Sequence, residues 1–305
     1  MESDYLKTLL EVVKTGSFSA AADNLFVTQS AVSRRIRFLE ERYGHPLLER
    51  TASGIRPTDA GKVLLKNAVK ILALERKLDK DLAEINTRPE IRFGCSRPFE
   101  MRYLPEILRI YTERYDQLDN LKLVFDKPLA SLDGIREHRL DMALIEHWEE
   151  LELSAFRTLP LPGDEMVFVS APGLGLPPQV TADDIMPYRL YRRHADCCSM
   201  KLLCFNMQAI GRDCGEFTRT ATYDDLHVIM QNILRGEGIA FMTRSLVQHH
   251  LAEGTLREHR IAGFRHERNR TLILGETFRL TAPTRYFIDC ICRTFGVAAT
   301  EGDFT

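Results

Sequence analysis

The sequence predicts an α/β protein with a winged, helical N-terminal region, a long linker helix and two α/β subdomains. Three observations predict it. The first sixty residues carry apolar stripes at helical spacing, interrupted by short turns. A heptad pattern then runs from Leu64 to Ile85. From residue 90 onward, short apolar strands alternate with helical segments, which indicates mainly parallel sheets covered by helices.

Length and composition are those of an ordinary globular chain of about two domains. The 305 residues are 44% apolar and 28% charged, with a formal net charge of −2. These values exclude disordered, collagen-like and small disulfide-rich proteins. No apolar run approaches a membrane span, and the start MESDYLKTLLEVV lacks the features of a secretory signal. We therefore expect a cytoplasmic protein with no membrane partner, whose seven cysteines are reduced thiols.

Residues 17–42 have the pattern of a helix-turn-helix motif. Ser17 and Thr28 are suited to cap its two helices, and the second helix, from Gln29 to about Tyr43, has one apolar face. Its other face carries short polar and cationic side chains that suit a DNA major groove. Those side chains are Gln29, Ser30, Ser33, Arg34, Arg35 and Arg37. Gln29 and Arg34 suit base edges, whereas the neighbouring arginines suit phosphates.

An arginine-flanked turn follows this helix. Thr51 to Gly54 is typical of the tip of a β-wing, with Arg56 placed to lie along a minor groove and Arg50 to meet a phosphate or an internal acid. The alternative is a helical hairpin with a solvated basic face, because basic residues are common on exposed helices. DNA binding is favoured because four features follow one another in the chain: a first helix rich in small residues, a second helix with exposed polar side chains, a wing and a heptad helix.

The heptad pattern favours helix pairing, including pairing between subunits. Its apolar positions are Leu64, Ala68, Ile71, Leu78, Leu82 and Ile85, with Glu75 interrupting the seam. A single helix lying on its own domain stays open as the alternative. Thr87, Arg88 and Pro89 end the helix and mark a linker.

Eight strands are predicted after the linker. They are Ile91–Cys95, Leu121–Phe125, Met142–Ile145, Met166–Ser170, Arg189–Tyr191, Phe217–Ala221, Ile239–Met242 and Thr271–Leu274. Helices are predicted over about 101–115 and up to His138. The stretch is longer than one typical lobe, which predicts two α/β subdomains.

In open α/β sheets, ligands bind beyond the carboxyl ends of strands, near helix N-termini. That rule selects three loops, which contain the candidate ligand contacts Cys95, Ser96, Arg97, Phe99, Glu146, His194, Cys197, Cys198 and Ser199. Thr222 and Tyr223 follow another strand and are candidates for the same cavity. Arg97, Arg192 and Arg193 favour an anionic ligand.

The N-terminal region closely resembles the winged helix-turn-helix of LysR-type transcriptional regulators. The matching segments are SFSAAADNL, VTQSAVSRRIRFLEERYG, PLLER and PTDAG, with weaker matches at LDMALI and GEGIAF. The chain departs from the usual pattern at Ser30, where proline is frequent, and at Leu48, where phenylalanine is usual.

The resemblance implies a homodimer or homotetramer, operators with twofold symmetry and two Rossmann-like lobes whose cleft binds a small co-inducer. It maps Ser96 and Ser199 to ligand contacts. The implied domains are a DNA-binding domain at 1–58, a linker and dimerisation helix at 59–88 and an effector-binding domain at 89–305. Lobe I would cover about 89–161 and 264–305, and lobe II about 162–263.

Cysteines cluster around the predicted cleft. Cys95 lies on one wall, and Cys197 with Cys198 on the other, next to Arg192 and Arg193. A thiol at a helix N-terminus near cations has a lowered pKa, so sensing of oxidants, electrophiles or soft metals is one interpretation. Inert buried thiols are the other. No zinc-type spacing occurs, so neither a metal site nor a cofactor is predicted.

The leading hypothesis is a transcriptional regulator that binds double-stranded DNA and a small effector, with RNA polymerase as a further partner. The motifs HExxH, GxSxG and the P-loop do not occur, so no catalytic residue and no enzymatic activity are predicted. The alternative is a small-molecule-binding or enzymatic α/β protein with an incidental helical N-terminus.

Overall fold

The computed structural model describes residues 2–51, 54–83, 90–116, 118–195, 197–276, 278 and 280–298. The chain divides into two compact units, which we term the N-terminal unit (Met1–Arg88 with Arg136–Arg139) and the C-terminal unit (Pro89–Ile135 with Leu140–Thr305). The predicted linker Thr87 to Pro89 and the last heptad residue, Ile85, lie outside the described residues.

Helices and one hairpin form the described part of the N-terminal unit. They are α1 (Glu2–Thr15), α2 (Phe18–Asn24), α3 (Gln29–Tyr43), β1 (Leu48–Thr51), β2 (Gly54–Pro57) and α4 (Asp59–Ala83). The hydroxyls of Ser17 and Thr28 cap α2 and α3 by accepting from the backbone N–H groups of Ala20 (3.4 Å) and Ala31 (3.2 Å). Gly44 ends α3 in the left-handed conformation.

The first three helices bury their apolar faces in one core. Leu9, Ala21 and Val32, from α1, α2 and α3, are each fully buried there. At the start of α4, a Cβ on Gly61 would lie 2.0 Å from the carbonyl oxygen of Leu47, so only glycine permits this close approach. The core therefore fixes one face of α3 inward and leaves the opposite face to solvent.

The apolar positions of α4 lie in two different environments. Leu64 and Ala68 pack against the core of their own unit, as the alternative interpretation expected. The later positions are exposed and lie three or four residues apart, which places them along one side of the helix. We term this set the α4 stripe: Ile71, Leu74, Leu78 and Leu82.

The C-terminal unit is built on one mixed sheet. Its elements are β3 (Ile91–Cys95), α5 (Arg97–Thr112), β4 (Leu121–Phe125), α6 (Pro128–Arg136), β5 (Met142–His147), β6 (Phe156–Ser170), β7 (Gln179–Val180), α7 (Ala182–Ile185), β8 (Leu190–Arg192), α8 (Cys198–Ala209), β9 (Thr220–Thr222), α9 (Leu226–Leu234), β10 (Ile239–Thr243), α10 (Arg244–Ala252), β11 (Arg257–Ile261), β12 (Glu267–Gly275) and α11 (Ala282–Thr294). The strand order is β4-β3-β5-β12-β6-β10-β8-β9, and β11 joins β6 to β7.

Two long strands change the predicted topology. β6 pairs antiparallel with β10, β11 and β12, and β12 pairs antiparallel with β5. The ladders β3–β4, β3–β5, β8–β9, β8–β10 and β7–β11 are parallel, so the expectation of mainly parallel sheets is wrong for the middle of the sheet. The sequence did not predict the first half of β6, because Pro160 and Pro162 interrupt its apolar pattern. It also missed β7 and the polar strand β11.

Helices cover both ends of the sheet. Around β3 and β5, α5 and α11 enclose an aromatic core of Phe93, Phe99 and Phe287, and α6 forms a second cluster with Leu132 and Ile135. Around β8 and β10, α8 contributes to one cluster, and α9 and α10 contribute to another. β6 serves both ends, because its first half pairs with β12 and its second half pairs with β10 and β11.

The cysteines are not all thiols. Cys204 on α8 and Cys214, in the turn that follows, form a disulfide with Cα atoms 5.3 Å apart. The expectation of seven reduced thiols is therefore wrong for this pair. The sequence offered no warning, because only the fold returns Cys214 to the side of α8. Cys95, Cys197 and Cys198 are free cysteines, in agreement with the expectation.

Candidate functional site

The outer face of α3 carries an exposed row of polar and cationic side chains. Val32, Ile36 and Leu39 bury the opposite face. The exposed side chains are Gln29, Ser30, Ser33, Arg34 and Arg37. Because the helix is capped at both ends and fixed by its core, this row is displayed on a rigid support.

Three members of the predicted DNA-reading set have hydrogen-bond partners within the N-terminal unit. The Ser30 hydroxyl lies 3.0 Å from the hydroxyl of Thr28. The Ser19 hydroxyl donates to the Oε1 of Gln29 at 3.1 Å, which orients the amide while leaving its N–H donors available. Arg35 is half-buried, and its Nη1 donates to the Thr8 hydroxyl at 3.0 Å. The structure thus ties Arg35 to α1, whereas Arg34 and Arg37 project into solvent.

The predicted wing is a short antiparallel hairpin. β1 and β2 pair from Leu48 with Pro57 to Thr51 with Gly54. Arg56 is exposed on β2. Arg50 lies on β1, and its side chain falls outside the described part of the chain. The residues at the tip, 52–53, also lie outside it.

Phe26, in the turn between α2 and α3, was not predicted as a special residue. Its side chain is 95% exposed, and its backbone φ is +55°. A left-handed conformation is unfavourable for a bulky side chain. Glycine or asparagine is usual at such a helix end. A phenylalanine at this position was therefore the sequence feature that could have marked the turn as unusual.

The C-terminal unit contains a cavity of about 200 Å³ at the carboxyl ends of its strands. The loops after β3, β4 and β8, the end of β5 and the first turn of α8 line it. The structure brings together these predicted candidates: Ser96, Arg97, Glu146, His194, Cys197, Cys198 and Ser199. The lining also includes apolar side chains, among them Leu190, Ile229 and Phe241. We term this cavity the cleft.

Four predicted candidates do not line the cleft. Cys95 and Phe99 are fully buried in the aromatic core, because the strand directs Cys95 inward and the first turn of α5 directs Phe99 the same way. Thr222 is exposed and accepts from the Nε of Arg192 at 3.3 Å. Tyr223 is 42% exposed and stacks near Tyr191. These residues make packing and supporting contacts and are not part of the lining of the cleft.

A buried ionic cluster lies beneath the cleft, and sequence analysis found only one of its members. Arg270 is 2% exposed and donates to Glu146 at 3.0 Å and to Asp164 at 2.8 Å. Glu146 also accepts from the Ser96 hydroxyl at 2.7 Å. The fourth member, Arg268, has its Nη2 3.7 Å from Glu146. The available signal was two arginines just before the predicted strand Thr271–Leu274, but the register of β12 shifts between Arg268 and Arg270, so the alternation of side chains along a strand did not predict their shared position.

Electrostatics hold Glu146 as a carboxylate. Burial alone would raise the pKa of Glu146, but the charges of Arg268 and Arg270 and the hydrogen bond from Ser96 lower that pKa below its ordinary value. Arg270 is further stabilised by the rings of Tyr103 and Phe295, with its guanidinium carbon 4.8 and 4.6 Å from their centroids. The carboxylate and guanidinium groups beneath the cleft are therefore held in their charged forms.

The thiol at the start of α8 differs from the sequence expectation. Burial is the main influence on Cys198 and raises its pKa, although the charge of Arg268 acts in the opposite direction. A thiol with a raised pKa is a poor nucleophile at neutral pH. The predicted lowering of the pKa is therefore wrong for Cys198. Within the described residues, no group of three or more His, Cys, Asp or Glu side chains is arranged to hold a metal ion.

An exposed, cationic helix-turn-helix in one unit and a ligand-sized cleft in the other define a class of protein: a DNA-binding regulator with an effector domain. Residues 3–62 match the family model described as bacterial regulatory helix-turn-helix protein, lysR family, and residues 86–296 match the LysR substrate binding domain. The chain belongs to the LysR family of transcriptional regulators.

Individual relatives agree with this assignment. The transcriptional activator TtdR of Escherichia coli K12 is 36% identical over 126 residues, and the match spans 41% of this chain and 41% of that protein. The transcriptional regulator YusT of Bacillus subtilis is 28% identical over 294 residues, 95% of each chain. The crystal structure of ArgP from Mycobacterium tuberculosis has a similar fold, with a TM-score of 0.56 at 23% identity, over 97% of this chain and 98% of that one. Among the described residues, none of the helices has the length and hydropathy needed to span a membrane.

Proposed function

We propose that the outer face of α3 reads an operator and that the wing holds the flanking backbone. The side chains assigned to base edges are Gln29, Ser30, Ser33 and Arg34, and those assigned to phosphates are Arg35, Arg37, Arg50 and Arg56. Arg34 is suited to a guanine edge and Gln29 to an adenine edge. The supporting observation is the contrast between the two faces of α3, one buried and apolar, the other exposed and cationic.

The cleft is the proposed effector site, with Ser96, Arg97, Glu146, His194, Cys197, Cys198 and Ser199 as the assigned contacts. Its position at the strand ends and its mixed polar and apolar lining support this role. The corresponding domains are 1–58 for DNA, 59–88 for dimerisation and 89–305 for the effector, with lobe I at about 89–161 and 264–305 and lobe II at about 162–263. Effector binding would change the relative populations of operator-bound conformations.

The α4 stripe is the proposed contact with a second copy of the chain, giving a homodimer or a homotetramer. Exposed apolar residues at heptad-like spacing are typical of paired helices. RNA polymerase is a further proposed partner. The proposed location of the chain is the cytoplasm. The cleft binds its ligand in this proposal without catalysing a reaction.

Operator binding by two α3 variants tests the proposal. A duplex selected by the native protein from a random library serves as the operator. Gln29→Ala and Arg34→Ala are each expected to weaken its binding by about 1–3 kcal/mol, because each removes a base-edge contact. Fluorescence anisotropy measures the affinity, and sedimentation measures the oligomeric state, which is expected to stay unchanged.

Arg109→Ala is the matched control. Arg109 is an exposed arginine on α5 that pairs with Glu106 and Glu113, so it changes the same charge outside the N-terminal unit. Its operator affinity should equal that of the native protein. If both α3 variants also bind the operator like the native protein, α3 is not the reading helix.

A further inference from the structure

The cleft contains a guanidinium with an unmade hydrogen bond. Arg268 is 5% exposed, and its Nη2 donates to the Thr243 hydroxyl at 2.9 Å. Its Nε is buried and has no hydrogen-bond partner within the described residues. Leaving a charged donor unsatisfied away from water is unfavourable, and native proteins rarely do so without a reason. Because Arg268 also lines the cleft, its guanidinium is placed to contact a ligand there.

A second cation in the cleft is in the same condition. Arg193, in the loop after β8, also lines the cleft, and its Nε is likewise buried without a partner in the part of the chain described. Arg97 is paired with Glu100 at 2.8 Å. If His194 is not counted, the remaining charged side chains of the lining are the cations Lys127, Arg192, Arg193 and Arg268 and the carboxylates Asp126 and Glu146. This excess selects an anion.

The first turn of α8 adds backbone donors to the lining of the cleft. Cys197 is the N-cap of this twelve-residue helix, but its side chain makes no capping hydrogen bond. Cys197 through Met200 all line the cleft together with Arg268. The amides of a helix N-terminus and its dipole favour a negative charge. Arg268, which is almost completely buried, and the uncapped end of α8 thus both line the cleft, and the charge of Arg268 acts on Cys198 in the first turn of that helix.

The rest of the cleft indicates what the anion is attached to. Its lining contains several apolar side chains, namely Leu190, Ile229, Phe241, Met242 and Leu246. An engineered protein cavity of about 150 Å³ accepts benzene, so a cleft of about 200 Å³ suits an apolar body of one ring or a short branched chain together with a carboxylate. Inorganic phosphate would leave this apolar surface without a partner.

The two carboxylates in the lining of the cleft are poor partners for an ammonium group. Glu146 already accepts hydrogen bonds from Ser96 and Arg270 and lies beside Arg268. Asp126 accepts the backbone N–H of Lys127 at 2.8 Å in its own loop. An α-amino acid would therefore bring a cation into a site that already has an excess of cations.

We propose that the effector is a small carboxylate with an apolar body and no ammonium group, with its carboxylate bound by Arg268 and the first amides of α8. Arg193 supplies a second donor. This inference rests on the proposed function of the cleft, and it adds the chemical class of the ligand and assigns Arg268 and Arg193 as specificity residues.

Matched ligands test the class on the native full-length protein. Calorimetry compares 3-methylbutanoate with 3-methylbutanamide and with valine, and benzoate with benzamide; inorganic phosphate is a bare anion. The carboxylates are expected to bind about tenfold or more tightly than their amides and than valine, because only they bring a negative charge to the guanidinium of Arg268 without adding an ammonium group. Equal binding of acid and amide, tighter binding of valine, tighter binding of phosphate, or no binding of either carboxylate at millimolar concentration would overturn the proposal.

Arg268→Met tests the residue. It should reduce carboxylate binding about tenfold or more while leaving the weak binding of the amides unchanged, and Arg109→Met is the control with unaltered binding. Carboxylate binding that survives in folded Arg268→Met refutes the assignment. If this variant does not fold, the acid and amide pairs on the native protein still decide the ligand class.

Operator binding separates this inference from the proposed function. If valine binds more tightly than the carboxylates and alters the operator complex, the cleft is still the effector site, but the proposed ligand class is wrong. A carboxylate that binds without altering the operator complex would keep the ligand class and reject the effector role of the cleft. Anisotropy of the operator duplex with and without each ligand distinguishes these outcomes.

Discussion

The two units place their functional arginines in opposite environments. Arg34 and Arg37 are exposed on α3, whereas Arg268 and Arg270 are 5% and 2% exposed beneath the cleft and lie beside carboxylates. An exposed cation contributes little to stability but attracts a polyanion. A buried cation must be compensated, or the fold is destabilised. Loss of an exposed arginine of the first unit should therefore change DNA binding with little effect on stability, whereas loss of a buried arginine of the second unit should also lower stability.

Arg270→Met is expected to have the largest effect on stability. It leaves Glu146 and Asp164 without their shared buried partner, which should lower the free energy of unfolding by about 3–5 kcal/mol. Urea unfolding followed by the fluorescence of Trp148 measures this change. Trp148 is the single tryptophan of the sequence and packs on Phe205 in the same unit, with ring centroids 4.6 Å apart.

Arg34→Ala is the control for this comparison, because its expected change in unfolding free energy is within about 0.5 kcal/mol. If Arg270→Met is as stable as the native protein, the buried cluster does not stabilise the C-terminal unit. Similar decreases in the free energy of unfolding of both variants would instead contradict the expected difference between exposed and buried arginines.

The pH dependence of stability sharpens the same comparison. Glu146→Gln should lower the free energy of unfolding at pH 7 by about 1.5–3 kcal/mol, since it weakens charge-assisted hydrogen bonds. The folded-state pKa of Glu146 is lowered, so its contribution is full above its unfolded pKa of about 4.3 and is lost as pH falls through the lower folded value. The difference between native protein and variant should therefore shrink in acid.

Unfolding by urea at several pH values checks this, with Glu113→Gln as the exposed control. Glu113 pairs with Arg109 at the surface, so its replacement should have little effect at any pH. A constant difference between the native protein and Glu146→Gln from neutral to acid pH would show that the charge of Glu146 is not what stabilises the cluster.

The same contrast explains how far sequence analysis could go. The helix-turn-helix is encoded locally: Ser17 and Thr28 cap helices that begin at the next residue, and Gly44 ends α3. The ionic cluster joins Glu146, Asp164 and Arg270, which are far apart in the chain. No local pattern reveals such a cluster before the strands are paired, and the unpredicted first half of β6 is the strand that brings Asp164 into it.

Single-residue errors at the cleft have a related cause. The rule about strand ends selected the correct loops, but it does not specify which side chain of a loop faces the ligand. Ser96 lines the cleft, whereas its neighbour Cys95 and Phe99, three residues further on, point into the core. Adjacent residues at the end of a strand point to opposite sides, so an error of one position exchanges a contact for a core residue.

Salt dependence tests the exposed side of the comparison. If Arg37 contacts a phosphate, Arg37→Ala should weaken operator binding about equally for all sequences and reduce the slope of log affinity against log salt by about one. Anisotropy titrations over a range of salt concentrations measure the slope. An unchanged slope would exclude a phosphate contact for Arg37, and Arg109→Ala, outside the N-terminal unit, should leave the slope unaltered.

The smallest expected effect is at Phe26, where the exposed turn is strained. Phe26→Asn should stabilise α2 and α3 by about 1 kcal/mol, because asparagine tolerates the left-handed backbone that φ of +55° requires. Amide hydrogen exchange across the turn would then slow about fivefold. Phe26→Leu is the control, since leucine keeps the strain and should not slow exchange. Faster exchange in Phe26→Asn would mean that the phenylalanine ring, although 95% exposed, stabilises the turn more than its backbone conformation destabilises it.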